Sequence, residues 1–163
     1  MNNYIYCVSI ILLSIIFISI QSTLFSPLHA GYLFPDLNLI LIVFLSLRPG
    51  VKANIVMATG NGYLMDVLSG NLPGTFTISR HSSYLLIRTG SVHIYLKKYL
   101  TQAAVVFSAT IFSWTFIYVV FKINGEAYFT LTFSEIITQA VVNTLVGVPL
   151  IWMIGKAYAK LQN

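Results

Sequence analysis

One carboxylate lies inside an apolar, glycine-studded stretch, Thr59-Gly60-Asn61-Gly62-Tyr63-Leu64-Met65-Asp66-Val67-Leu68-Ser69-Gly70. Thr59, Gly62, Asp66 and Ser69 follow one another three and four residues apart, so a helix carries them as one narrow stripe. Small residues in such a stripe let a second backbone approach closely, and polar ones hydrogen-bond across the contact. The chemistry open to the stripe is a packing seam within the chain, a seam that also meets a partner helix or loop, or a transport or catalytic carboxylate. An ionised Asp66 requires a donor, and Arg80 and Arg88 are its candidate charge partners. Arg80 is favoured on depth, because Arg88 lies about 12 Å further along a helix. A cap on the chain break at Asn71 to Gly74 is the other expectation for Asp66.

A second polar series, Glu135, Gln139, Asn143 and Gly147, steps by four and predicts a buried interhelical seam or a ligand-binding wall. The three histidines, His29, His81 and His93, are dispersed and lack the spacing of a zinc site. No nucleophile elbow, phosphate loop or paired-carboxylate arrangement occurs in the sequence. Cys7 is the only cysteine, which excludes an intrachain disulfide and a cysteine metal cage. The residues call for no cofactor and no metal.

The elements that carry these residues are set by hydropathy. Of the 163 residues, 57% are hydrophobic and 8% charged, against about 25% charged in a soluble domain. Long continuous apolar runs such as Ile10 to Ile20 and Leu37 to Leu47 favour membrane helices over the period-two strands of a barrel. Net charge is +5, yet the longest basic run is Lys97-Lys98, so the basic residues read as orientation signals and not as a nucleic-acid surface.

Six helices are predicted, over about residues 4–24, 35–47, 51–69, 76–96, 99–121 and 129–154, in one compact all-α transmembrane bundle spanning 1–163. The first has no basic flank and exceeds a signal-peptide core, which predicts a retained anchor. Pro35 suits a first helical position, with Asp36 and Asn38 at the positive end of the second helix. Segment 76–96 carries Arg80, His81, Arg88 and His93; it is expected to span, with a surface amphipathic helix as its alternative. A kink is expected at Pro149. With the N-terminus in the cytoplasm, Arg48, Lys52, Lys97, Lys98, Lys156 and Lys160 fall inside, as the positive-inside rule requires. The C-terminus is then cytoplasmic too, and the four carboxylates, Asp36, Asp66, Glu126 and Glu135, gather toward the outer face.

Residues 33–76 resemble the MreD family of bacterial rod shape-determining inner-membrane proteins. The resemblance rests on Pro35-Asp36-Leu37-Asn38-Leu39-Ile40, on Arg48-Pro49-Gly50, and on Gly60-x-Gly62 followed by Asp66-Val67-Leu68-Ser69-Gly70 and Pro73-Gly74. It implies a fold similar to the six-helix substrate-binding subunits of energy-coupling-factor transporters. It implies a non-enzymatic scaffold of the cell-elongation machinery that helps organise lateral peptidoglycan synthesis. The implied partner is an MreC-like bitopic protein, with MreB, RodA and a penicillin-binding synthase in a larger complex. Asp36, Thr59, Gly62, Asp66, Ser69, Gly70 and Gly74 are the expected seam or partner-contact residues. The fourth helix departs from the family, which is apolar there. A vitamin-binding transporter subunit is the alternative, and it is expected to show an Ala-x-x-x-Ala docking face that the first helix lacks.

Overall fold

The computed structural model describes residues 3–21, 33–48, 53–69, 72–91, 98–125 and 132–162. These form six helices: α1 (Asn3–Ile20), α2 (Leu37–Ser46), α3 (Ala53–Ser69), α4 (Thr75–Gly90), α5 (Tyr99–Ile123) and α6 (Phe133–Gln162). Where the described residues allow comparison, the first five predicted helices begin within two residues of the observed ones. The sixth runs two turns past residue 154, because Gly155 to Gln162 continues without a breaker and Tyr158 anchors it against α1. The predicted ends of the first and fourth helices, at 24 and 96, lie outside the described residues, and so do His29, Pro49, Gly50, Lys52, Gly70, His93, Lys97 and Glu126. Pro149 sits inside α6, where it removes one backbone donor from the ladder.

The organising element is α2. Its ten residues, LNLILIVFLS, are apolar almost all round, and Asn38 to Ser46 are all buried. A helix without a polar face has to be surrounded. It packs on α1, α3, α4, α5 and α6. Those five form a ring about it: α1 beside α3, α3 beside α4, α4 beside α5, and α5 beside α6. The ring closes where Ser9 Oγ of α1 hydrogen-bonds Tyr158 Oη of α6 at 2.8 Å, with the Tyr6 and Tyr158 rings 5.3 Å apart.

α5 and α6 are long and apolar enough to cross a membrane, over Tyr99–Ile123 and Phe133–Ala159. Tyr6–Ile20 and Leu37–Ser46 are shorter apolar helices. On α3 and α4 the polarity is inverted. Asn54, Asn61, Asp66, Ser79, Arg80 and Ser83 are buried, while Val56, Val67, Leu68, Ile78, Leu85 and Leu86 are exposed.

Candidate functional site

The site is a polar core between α2, α4, α5 and α6, with a second polar contact between α3 and α4. Asp36 is the N-cap of α2, and its Oδ1 accepts from Leu39 N at 2.9 Å. A carboxylate suits that position, because it satisfies an orphan N–H and faces the positive helix end. Its other oxygen, Oδ2, accepts from Arg80 Nη2 at 2.5 Å, with the two side chains 3% and 0% exposed. Among the described residues this is the one ion pair.

Arg80 is further held by Nη1, which donates to Ser113 Oγ at 2.7 Å. The Ser113 hydroxyl also meets Ser79 Oγ at 2.8 Å, tying α4 to α5 twice within one turn. From the far side, Asp36 N donates to Asn143 Oδ1 at 2.6 Å, and Asn143 Nδ2 donates to Thr110 Oγ1 at 3.1 Å. One buried chain of hydrogen bonds thus links α4, α2, α6 and α5. A cation this deep is tolerable because both charges are paired and hydrogen-bonded.

Asp66 does not pair with Arg80 or with Arg88. Oδ1 accepts from Phe76 N at 2.8 Å, and Oδ2 from Thr77 N at 2.9 Å and Thr77 Oγ1 at 2.5 Å. The carboxylate of α3 therefore caps α4 from outside, supplying the acceptors that Gly74, the N-cap of α4, lacks. The reason is azimuth: Asp66 faces the start of α4, whereas Arg80, more than a turn deeper, points across the bundle to α2. Arg88 lies two turns deeper still, in the last turn of α4.

Gly62 makes that capping distance reachable. A Cβ built there would lie 2.6 Å from Thr77 Cα and 2.7 Å from Phe76 O, closer than real carbon contacts allow. The α3 and α4 backbones touch at this point. One turn away, Thr59 Oγ1 meets His81 Nδ1 at 2.8 Å, continuing the seam. Thr59, Gly62 and Asp66 thus share one contact line on α4. Ser69 does not join it: the residue is exposed and donates to Asp66 O of its own helix at 3.4 Å. Gly74 adopts φ 88°, a left-handed turn that suits glycine, and opens α4.

In the α6 series, Gln139 Nε2 reaches Phe34 O at 3.3 Å, Asn143 joins the polar core, and Gly147 receives the Ile40 and Val106 side chains. Glu135 stands apart. It is half-buried, and its carboxylate accepts from Thr132 N at 2.7 Å, a capping box for its own helix. Ser79, Thr110 and Ser113 were not singled out by sequence reasoning. Single hydroxyls in apolar helices carry no spacing signal, and only the fold reveals that they meet Arg80 and Asn143.

No protein-family model, curated protein or solved structure matches the chain. Among the described residues, fold and site define an all-helical bundle in which Asp36, Asp66, Arg80 and Asn143 join helix to helix.

Proposed function

We propose that the chain is a multi-pass, non-enzymatic scaffold of the bacterial cytoplasmic membrane. All six helices cross the bilayer, both termini are cytoplasmic, and the protein serves the cell-elongation machinery by binding an MreC-like bitopic partner. The observation that carries this reading is the inverted polarity of α3 and α4. Arg80, Ser79 and Ser83 are at most 1% exposed, while Ile78 and Leu86 on the same helix are 55% and 53% exposed. In water that arrangement would desolvate a charge while wetting aliphatic side chains, a double cost. In lipid it is the favourable one, since intramembrane charges turn to the bundle interior and find partners there.

The role as scaffold is supported by how the polar groups are used. Asp36, Asp66, Arg80 and Asn143 all bond to other helices or to backbone. The resemblance of residues 33–76 to MreD proteins supplies the cellular role and the partner. MreB, RodA and a penicillin-binding synthase would join through that partner.

The test is affinity purification from membranes in mild detergent with a co-expressed MreC-like protein. The wild-type chain is expected to retain it, and Gly62→Leu to lose it without a matching effect on any solute uptake. Retention of a vitamin with no protein partner would overturn the scaffold reading in favour of a transporter subunit.

A further inference from the structure

At the end of the bundle away from the ion pair, the C-terminal end of α2, the first turn of α5 and the last turns of α6 enclose an open cleft of about 490 Å³. Arg48 and Lys156 both line it, with Phe44, Tyr99, Trp152 and Gly155 among its walls. Among the described residues neither cation pairs with a carboxylate. The Arg48 guanidinium lies against two rings, 4.6 Å from the Phe44 centroid and 5.4 Å from that of Tyr158. Its Nη2 donates to Gly155 O at 3.4 Å. A guanidinium has five donors in a planar fork suited to phosphate, and among the described residues Arg48 Nη2 alone meets an acceptor. Lys156 Nζ stands 3.7 Å over the Trp152 ring.

A third source of positive potential is the start of α5. Its N-cap, Lys98, is extended and makes no side-chain cap. The first-turn N–H groups of α5 thus receive no cap from the N-cap side chain, and Tyr99 lines the cleft. Helix N-termini in this state favour anions. The acids among the described residues are engaged elsewhere: Asp36 and Asp66 at the opposite ends of α2 and α3, and Glu135 at the start of α6.

We propose that this cleft binds the phosphate of an anionic phospholipid, with Arg48 and Lys156 as its ligands. A lipid fits better than a free anion because the remaining walls are largely apolar, with Leu47, Ile151 and Ala159 beside the cations. The mouth carries exposed aromatic side chains, Tyr99 at 61% and Trp152 at 44%, as at a membrane–water interface. Basic pockets between membrane helices on the cytoplasmic side recognise anionic headgroups in this way. The inference rests on the membrane reading above.

Native mass spectrometry of the purified full chain, mixed with phosphatidylglycerol or phosphatidylcholine in neutral detergent, tests it. The wild type is expected to retain phosphatidylglycerol preferentially. Lys156→Gln and Arg48→Gln should each lower that retention about fivefold, the effect of one interfacial charge. Lys122→Gln is the matched control. Lys122 also stands over an aromatic ring, that of Tyr118 at 5.7 Å, but at the opposite end of α5. Lys156 is exposed, so its variant carries the test if Arg48→Gln fails to fold.

Equal retention of the two lipids, or equal loss in Lys122→Gln, overturns the proposal. Inorganic phosphate that abolishes lipid retention overturns the lipid assignment. Alkaline washing of membranes separates the two readings. A chain washed off refutes the membrane reading itself, whereas a retained chain with no lipid preference refutes only the cleft.

Discussion

Arg80 reaches Asp36 across 44 residues of sequence, from the second turn of one helix to the N-cap of another, with both side chains sealed from solvent. The carboxylate therefore serves two ends at once. It starts α2 through Leu39 N and neutralises the cation of α4. Removing either partner leaves the other charge buried and unmatched.

Asp36→Leu and Arg80→Met are each expected to destabilise the protein by about 3–5 kcal/mol. The double variant should recover a large part of that loss, because neither charge then remains. Thermal unfolding in detergent, followed by size-exclusion chromatography of wild type, single and double variants, provides the cycle. Additive losses would show that the pair is not coupled.

Gly62→Ala is expected to lower stability by about 1–3 kcal/mol, since the added methyl meets α4 backbone and not a side chain that can rotate away. Gly60→Ala is the internal comparison. A Cβ at Gly60 meets nothing within 4 Å, and the substitution improves helix propensity. Equal melting temperatures for the two variants would contradict the close approach of α3 and α4.

Asp66→Ala removes both acceptors from the first turn of α4 and should cost about 1–2 kcal/mol, the scale of a lost N-cap. Asp66→Asn keeps one oxygen and should lose less. Amide hydrogen exchange at Phe76 and Thr77 reports the effect locally, and protection unchanged in Asp66→Ala would refute the cap.

Asn38→Leu should stabilise the chain. Both side-chain amide atoms of Asn38 are buried without a hydrogen-bond partner among the described residues, and an unmet buried polar group costs about 1–3 kcal/mol. A melting temperature below that of the wild type would show that the amide is satisfied in the folded protein.

Membrane topology is open to cysteine labelling in a Cys7→Ser background. Lys122→Cys should react with an impermeant thiol reagent added to intact cells, and Lys156→Cys only after permeabilisation. Labelling of both positions from the same side would contradict six crossings.

Much of the fold was legible because hydropathy and chain breakers act locally. Pro35-Asp36 marks the start of α2, and Pro73-Gly74 marks the start of α4, whatever surrounds them. Depth was legible too, since rise per residue converts numbering into height. Azimuth was not. Arg80 and Asp66 share an end of the bundle, yet the choice between Asp66 and Asp36 depends on which way α4 is turned. The central place of α2 settles that, and it follows from five neighbours at once. Thr59, Gly62 and Asp66 line the contact of α3 with α4, and Ser69 does not. There the helix ends, and the exposed hydroxyl bonds to its own backbone.

The ring around α2 also has a temporal meaning. A ribosome delivers α1 and α2 first, but the groups that complete them come later: Arg80 with α4, Asn143 and Tyr158 with α6. A nascent chain halted before residue 133 would hold Asp36 against Arg80 yet lack the amide that receives its backbone N–H and the tyrosine that joins the last helix to the first. Of the six described helices the last to be synthesised is the one that closes the ring, so loss of α6 strikes α1 as directly as its other neighbours.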